Sequence, residues 1–187
     1  MKLLIVEPHP DDAFLSLGWH LKKLWPDKGT ECSILTVYHD DRRGKEAERY
    51  AESVKARWFG LGLDESKMLS ETEKVGKVTE LKTWLDEHGG EFSRVVFPLG
   101  LQHPDHLRVA ATRPPGAWRY LDTPYCHKLK LQELVWDKSE GMAVVSMTFP
   151  PKHKWKAKDI FKSQAKFFYY NENLAEYRAP EVVLCPP

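Results

Sequence analysis

Two short segments of the sequence each combine histidine, proline and aspartate. The first reads HPDD at residues 9–12, and the second reads HPDH at residues 103–106. In each segment the first and fourth residues are three apart, so a single helical turn allows both to face one point. Histidine and carboxylate are usual ligands of zinc, and three protein ligands leave the open position that a catalytic site requires. The two segments therefore indicate a catalytic metal site.

The two adjacent aspartates of the first segment, Asp11 and Asp12, fit that chemistry. A metal needs a carboxylate ligand to neutralise its charge, whereas the water that it activates needs a separate carboxylate to accept a proton. A second interpretation is structural, because Pro10 suits a turn and either aspartate could cap a helix. The residues of this segment alone leave both interpretations open.

Each segment follows a predicted strand. The apolar run LLIV at 3–6 predicts a buried strand, and the apolar residues of 14–24 then recur with helical spacing. The second segment follows RVVFPL at 94–99, which predicts another buried strand. Ligands of open parallel sheets bind at the carboxyl ends of the strands. We therefore expect the two segments to converge at one edge of one sheet.

Further units continue this alternation of strand and helix. CSILTVY at 32–38 predicts a strand, and the apolar residues of 47–58 mark a helix that is predicted to stop at Gly60. A third helix is predicted over 78–85 and ends at Gly89–Gly90. This pattern predicts a Rossmann-like α/β domain, a three-layer sandwich with a mostly parallel sheet.

The pattern changes beyond residue 113. RPPGAW cannot lie inside a helix or a central strand and predicts a loop. The segments 125–136 and 141–149 predict two strands joined by a turn, which would extend the edge of the sheet as an antiparallel addition. The apolar residues of 156–170 predict a late helix. Because nothing marks a domain boundary, we predict a single domain over 1–187.

The composition argues against several classes of partner. The 187-residue chain has a formal net charge of +1, which gives no field to attract nucleic acid or acidic lipid. No run approaches the ~20 apolar residues that span a bilayer, and the first residues lack the apolar region of a signal peptide. The three cysteines show no CxxC spacing and are expected to be reduced. We expect a cytoplasmic protein that acts on a small molecule, with its oligomeric state left open.

At the HPDD and HPDH segments the sequence resembles the LmbE/PIG-L-type zinc-dependent N-acetylglucosaminyl deacetylases. An HPDD motif after the first strand and an HPDH-like motif later in the chain characterise this family, and a pair like Ser163–Gln164 in a late helix also recurs in it. The resemblance covers most of the chain and implies an LmbE-like fold with Zn²⁺ as cofactor, or Fe²⁺ in the cell. It also implies hydrolysis of the N-acetyl amide in an N-acetylglucosamine conjugate.

The resemblance assigns roles to the residues of the two segments. It implies that His9, Asp12 and His106 bind the metal and that Asp11 acts as the general base. It also implies that His103 stabilises the oxyanion and protonates the leaving amine.

Two further residues receive roles in the same way. Asp105, close to His103, is implied as a carboxylate that orients this histidine. The family places a sugar-contacting arginine in the region of HDDRRGKE at 39–46, and Arg43 is our prediction for it. The structural alternative for this segment is a solvated charged loop before a helix.

The sequence departs from the family pattern in two places. Ala13 stands where the family commonly has glutamate, so a contact at the start of the helix is expected to be missing. Leu101 and Gln102 offer no tyrosine hydroxyl just ahead of His103. These departures bear on the identity of the substrate more than on the metal.

Several other polar residues are interpreted as structural. His39, Asp40 and Asp41 could act as metal ligands, but the three better candidates already fill a zinc site. His20 and His88 lie in predicted helices and are interpreted as surface or capping residues.

Two alternative functions use the same residues. Two histidines and one carboxylate also form the facial triad of non-haem Fe(II) enzymes. Asp11 favours hydrolysis over that alternative, because oxygen activation does not require such a base. The other alternative is a sugar-binding protein without turnover, which the complete set of ligands, base and His103 disfavours.

Overall fold

The computed structural model describes residues 1–63, 71–123, 125–127, 132–148, 160–164 and 181–186. Its strands are β1 (Lys2–Glu7), β2 (Glu31–Tyr38), β3 (Arg57–Leu63), β4 (Arg94–Pro98), β5 (Trp118–Tyr120), β6 (Ala143–Thr148) and β7 (Glu181–Cys185). Its α-helices are α1 (Asp12–Trp19), α2 (Trp25–Asp27), α3 (Asp41–Ser53), α4 (Glu71–His88), α5 (Pro104–Ala111) and α6 (Gln132–Ser139). A π-helical turn at His20–Leu24 joins α1 to α2. Short 3₁₀ turns occur at Gly89–Glu91, Tyr125–His127 and Lys162–Gln164.

The strands form one seven-stranded sheet in the order β3-β2-β1-β4-β5-β7-β6. Neighbouring strands from β3 to β5 pair in parallel, whereas β7 pairs antiparallel with both β5 and β6. The prediction of a mostly parallel sheet with an antiparallel C-terminal addition is confirmed. Within the described part of the chain, no helix is long and apolar enough to cross a membrane.

β1 lies near the centre of the sheet, and its side chains alternate between two cores. Leu3 and Ile5 pack in one core with side chains of α1 and α3. Leu4 and Val6 pack in the other core with side chains of α4 and α5. All four residues are fully buried because helices cover both faces, and this explains the uninterrupted apolar run in the sequence. The predicted three-layer arrangement is present.

The second predicted helix is shorter than its apolar pattern indicates. α3 ends at Ser53, and Lys55 has a φ of 57°, in the left-handed region, where a helix cannot continue. Trp58 and Gly60, which the pattern places in the helix, lie in β3 instead. A β-carbon on Gly60 would lie 2.4 Å from His39 Nε2, so this glycine permits close packing and does not end a helix.

The C-terminal elements differ from their predictions. The predicted strand at 125–136 is wrong: this segment contains the 3₁₀ turn after β5 and the beginning of α6. Its short apolar pattern satisfies the strand and the helix period about equally, so sequence alone could not decide between them. The strand predicted at 141–149 is confirmed as β6, at the edge of the sheet. The sequence pattern missed β5, which has only three residues, and β7.

Only residues 160–164 of the predicted late helix lie among the described residues, and Lys162–Gln164 form a 3₁₀ turn there. The backbone N–H of Ser163 donates to Glu46 Oε1 at 2.9 Å, and its hydroxyl donates to Oε2. Glu46 is a buried residue of α3. The serine of the Ser163–Gln164 pair therefore fastens this part of the chain to α3.

Glu7, the last residue of β1, is buried beneath the HPDD segment. Its Oε2 accepts the backbone N–H of Ala13 at 2.9 Å, and its Oε1 accepts the hydroxyl of Thr36 at 2.6 Å. Burial raises the pKa of Glu7 to about 8, although both hydrogen bonds act to lower it. Glu7 therefore fastens the first turn of α1 to β1 and β2 through the backbone of Ala13 and the side chain of Thr36.

Replacing Glu7 tests this network. We expect Glu7→Ala to lower the free energy of unfolding by about 1–3 kcal/mol, because the Ala13 N–H and the Thr36 hydroxyl lose their buried acceptors. Urea denaturation measures the change. Glu31→Ala, at the exposed first residue of β2, is the matched control and should change the stability by less than about 0.5 kcal/mol. Equal stability of the Glu7→Ala variant and the parent protein would contradict this role.

Candidate metal centre

The HPDD and HPDH segments meet at the carboxyl ends of β1 and β4. These strands are parallel neighbours, and each segment leads from its strand into a helix, α1 or α5. His9 Nδ1 lies 3.3 Å from Asp12 Oδ2, and His106 Nε2 lies 3.2 Å from the same oxygen. The structure therefore brings the three predicted metal ligands together around one carboxylate oxygen.

The two separations from the Asp12 oxygen match those between ligands of a tetrahedral metal ion. Nitrogen and oxygen atoms that bind zinc at about 2.0–2.1 Å lie about 3.3 Å from one another at tetrahedral angles. The side chains of His9, Asp12 and His106 are only 12%, 8% and 1% exposed, so their positions are fixed by packing. Two imidazoles and one carboxylate suit a divalent cation and leave a coordination position for another group. The residues present thus fit the group that the resemblance implies.

Asp105 orients His9 from the side opposite Asp12. Asp105 Oδ2 lies 3.2 Å from His9 Nε2, and Asp105 Oδ1 accepts Arg108 Nη1 at 3.0 Å. The same carboxylate is 3.8 Å from His103 Nδ1, beyond hydrogen-bond distance. Asp105 therefore lies closer to His9 than to His103, which was its predicted partner. A carboxylate behind a histidine ligand fixes the ring and increases its basicity.

Asp122, which the sequence did not reveal, lies behind the ring of His106 as Asp105 lies behind that of His9. Asp122 Oδ2 lies 3.1 Å from His106 Nδ1, and it also accepts the backbone N–H groups of Gly100 and Leu101 at 3.1 and 2.9 Å. The residue is fully buried just after β5. Its signal would have been an acidic residue at the carboxyl end of a parallel strand, but β5 is too short to recognise.

Replacing Asp122 tests whether it supports the metal site. We expect Asp122→Asn to weaken metal affinity by about 10–100-fold, because the carboxylate that makes His106 a stronger ligand is lost. Competition with a chromophoric chelator measures the affinity. Asp137→Asn, at an exposed position of α6, is the matched control and should leave it unchanged. Unchanged affinity in the Asp122→Asn variant would show that Asp122 only holds the loop at Gly100.

His103 caps α5 beside the three ligands. Its Nδ1 accepts the backbone N–H of Asp105 at 3.3 Å, which leaves the proton of the neutral ring on Nε2. Burial and the neighbouring His9 and His106 lower the pKa of His103. The ring nitrogens of His9, His103 and His106 also lie within 4.8 Å of one another. His103 is therefore close enough to the ligands to act on a group bound between them.

The protonation of the three ligands is governed by their mutual pairing. Burial lowers the pKa of His9, but hydrogen bonds to Asp105 and Asp12 outweigh it and raise the pKa to about 9. For His106 the charge of Asp12 and hydrogen bonds outweigh burial in the same way and raise the pKa to about 10. The two histidines in turn hold the pKa of Asp12 well below its usual range, against the effect of burial. A cation at this point would have to displace these protons, so its binding would weaken as the pH falls.

Asp11 lies next to the ligands and pairs with Arg43. Asp11 Oδ1 is 3.5 Å from Arg43 Nη2, and both side chains are 11% exposed. Burial and the charge of Asp12 raise the pKa of Asp11, whereas Arg43 lowers it. Asp11 occupies the N-cap position of α1, but its side chain makes no capping hydrogen bond. The capping interpretation of this aspartate is therefore not supported.

The charged segment after β2 brings Arg43 to the site and gives its other polar residues structural contacts. Asp40 caps α3 by accepting the backbone N–H of Arg43 at 2.7 Å. His39 Nδ1 lies 3.1 Å from the carbonyl oxygen of Asp40, and His39 Nε2 accepts the N–H of Gly62 at 3.0 Å. Asp41 begins α3 and is exposed.

Tyr125 and His20 have surroundings that the sequence did not predict. The ring of Tyr125 lies 5.3 Å from that of His106 and 6.1 Å from that of His103, so an aromatic side chain borders the site from the turn after β5. His20 is fully buried and contacts Glu181, so its interpretation as a surface or capping residue is wrong. His88 is 45% exposed, as predicted.

The fold of this chain resembles that of solved deacetylase structures. A deacetylase from the biosynthesis pathway of teicoplanin is 16% identical and matches with a TM-score of 0.68 over 99% of this chain and 97% of that chain. The A40926 pseudoaglycone deacetylase Dbv21 is 18% identical and matches with a TM-score of 0.64 over 99% and 96% of the two chains. No family model and no curated protein matches the sequence.

An enzyme of another type shares the fold. GalB, the 4-carboxy-2-hydroxymuconate hydratase from Pseudomonas putida KT2440, is 14% identical and matches with a TM-score of 0.57 over 95% of this chain and 82% of that chain. At such identities a match shows the fold and leaves the reaction to be argued from the site. The chain therefore has the α/β fold of these deacetylases, and its resemblance to LmbE/PIG-L-type deacetylases is confirmed at the level of the fold.

Proposed function

We propose that the protein is a metal-dependent deacetylase that hydrolyses the N-acetyl amide of an N-acetylglucosamine conjugate. The observation that carries this proposal is the convergence of His9, Asp12 and His106 on one point, with Asp11 beside them. The deacetylases that share the fold support it. The proposed substrate is a small molecule, and a cytoplasmic location belongs to the same proposal.

In this proposal three residues bind the metal, and Asp11 is the general base. His9, Asp12 and His106 would hold Zn²⁺ or Fe²⁺, supported by Asp105 and Asp122 from behind the two histidines. A bound divalent cation lowers the pKa of water and polarises the amide oxygen. Asp11 accepts the proton of the attacking water, and burial suits it to this task by making its carboxylate more basic.

His103 acts on the other side of the reaction. Its Nε2–H donates a hydrogen bond to the oxyanion that develops on the amide carbonyl, because Nδ1 is already occupied by the backbone of Asp105. Because burial lowers the pKa of His103, its ring is neutral when the reaction begins. A protonated ring would match the negative charge of the intermediate better, but the neutral ring still donates through Nε2–H. In this proposal the leaving amine takes the proton that Asp11 has removed from water, so Asp11 takes over the role of proton donor that the resemblance implies for His103, and His103 keeps its role at the oxyanion.

Arg43 is proposed to bind the substrate next to Asp11. Its guanidinium reaches the site from α3, on the Asp11 side of the ligands. A planar cation with several donors binds sugar hydroxyls and, at the same time, keeps part of the Asp11 carboxylate ionised. Arg43 would therefore both bind the substrate and influence the protonation of the general base, Asp11.

Metal content and acetate release together test the proposal. The purified protein is assayed for metal, and acetate is measured from a panel of N-acetylglucosamine conjugates, including a glycopeptide, with and without a chelator. We expect about one metal ion per chain and acetate release that the chelator abolishes. Metal without acetate from any conjugate would contradict the deacetylase, and a protein that takes up no metal would contradict the site itself.

A further inference from the structure

A second group of catalytic residue types lies outside the metal centre. Ser146 Oγ is 2.9 Å from His20 Nε2, and His20 Nδ1 is 2.9 Å from Glu181 Oε2. The three residues come from β6, the turn after α1 and β7. A hydroxyl within hydrogen-bond distance of a histidine that is oriented by a carboxylate is the arrangement of an activated nucleophile.

Glu181 fixes both the position and the tautomer of His20. Besides the imidazole, this carboxylate accepts the backbone N–H groups of Trp19 and His20 at 2.9–3.0 Å. Because a carboxylate oxygen accepts, Nδ1 of the neutral ring carries the proton and Nε2 faces the Ser146 hydroxyl as an acceptor. The π-helical turn that begins at His20 positions the ring for this contact, and such turns are frequent at functional sites.

Burial differs along the three residues in the way that a nucleophilic site requires. His20 and Glu181 are 0% and 1% exposed, whereas Ser146 is partly exposed. The imidazole and the carboxylate are therefore enclosed, while part of Ser146 lies at the surface. The pairing of β6 with β7 is irregular between Val144 and Ser146, and bulges of this kind re-aim side chains next to active sites.

The surroundings of Ser146 indicate the kind of reactant. Its neighbours Val145 and Met147 are 42% and 56% exposed, and Val144 is 60% exposed. Because adjacent side chains of a strand point to opposite faces, Met147 lies on the other face of the sheet from Ser146, and it is the exposed strand β6 as a whole that is apolar. This apolar edge favours an apolar acyl group over a sugar. Among the described strands β6 is the outermost of the sheet, and its backbone N–H groups that point away from β7 are placed to donate to an oxyanion.

The group is separate from the metal centre. α1 begins at Asp12, a proposed metal ligand, and His20 follows its last residue. Eight residues of α-helix rise about 12 Å, so the two groups lie toward opposite ends of α1. Their activities can therefore be measured independently.

We propose that Ser146, His20 and Glu181 form a second hydrolytic site that cleaves esters of apolar acids. Ser146 Oγ attacks the acyl carbon and gives its proton to His20 Nε2, and the bond between the acyl carbon and the alcohol oxygen breaks. The alcohol leaves with the proton from His20. Water then attacks the acyl-serine, returns a proton through His20 to Ser146 Oγ, and releases the acid. Glu181 is a positioning residue for His20.

A fluorophosphonate with an alkyl chain tests the nucleophile directly. The Ser146 oxygen forms a bond to phosphorus, the P–F bond breaks, and fluoride leaves with the serine proton as HF. We expect one adduct on the full chain, mapped to Ser146 by peptide mass spectrometry and formed at least about 100-fold faster than any adduct at Ser53. Ser53 is the internal reference because its hydroxyl donates only to the Tyr50 carbonyl in its own helix.

Two variants and a chelator complete the experiment. Ser146→Ala should abolish the adduct and the hydrolysis of p-nitrophenyl butyrate while its far-UV circular dichroism spectrum stays that of the parent protein, whereas Ser53→Ala should keep the adduct and the hydrolysis. A chelator and the Asp11→Asn variant should leave labelling unchanged, which separates this site from the proposed deacetylase. Labelling of Ser146 no faster than of Ser53, or ester hydrolysis that survives in Ser146→Ala, would overturn the proposal.

Discussion

Asp11→Asn is expected to lower kcat for acetate release by about 10²–10⁴-fold while the metal content stays at the parent level. The asparagine amide keeps the shape of the side chain but cannot accept the proton of the attacking water. Asp11 is not one of the three residues that share the Asp12 oxygen, so the metal ligands remain in place. Steady-state assays at saturating substrate measure kcat, and elemental analysis of the same sample measures the metal.

The pairing of Asp11 with Arg43 makes the control important, because the substitution also removes a charge next to the guanidinium. Asp27→Asn removes the same charge from a side chain that is 55% exposed and lies 3.0 Å from Lys23 Nζ, far from the metal centre in sequence. That variant should retain full activity. Undiminished kcat in Asp11→Asn would remove Asp11 from the mechanism, and loss of metal together with activity would make it a ligand and not a base.

His106→Ala is expected to release the metal. The imidazole contributes one of the three proposed ligand atoms. It also lies between Asp12 and Asp122, so its loss leaves two buried carboxylates without their shared partner. We expect affinity to fall by more than the roughly 10–100-fold that loss of a supporting carboxylate costs, so dialysed protein should carry little metal. Elemental analysis measures the content, and the rise in unfolding temperature on adding Zn²⁺ should vanish with it.

His88→Ala is the matched histidine control, since its ring lies at the end of α4 and is 45% exposed. It should keep both the metal and the thermal response to Zn²⁺. A His106→Ala variant that retains the parent metal content would contradict both the proposed ligand set and the histidine group that includes His103, because His106 belongs to each.

The sequence alone identified the central strands and the site that they carry. β1, β2 and β4 are covered by helices on both faces, so their residues must be apolar without interruption, and such runs are visible in any sequence. The HPDD and HPDH segments follow two of these strands. Parallel neighbours end at the same edge of a sheet, so the convergence of His9, Asp12 and His106 followed from the order of the elements.

Only the tertiary structure showed which side chains surround the proposed ligands. Asp122 reaches His106 across 16 residues from the end of a three-residue strand, and Glu7 accepts the backbone N–H of Ala13 at the start of α1. His20 looked like an ordinary helix residue until Glu181, 161 residues away, proved to be its partner. Local periodicity encodes which face of an element is buried, but not which distant side chain it meets. These pairings depend on strand order and register, which the whole chain decides together.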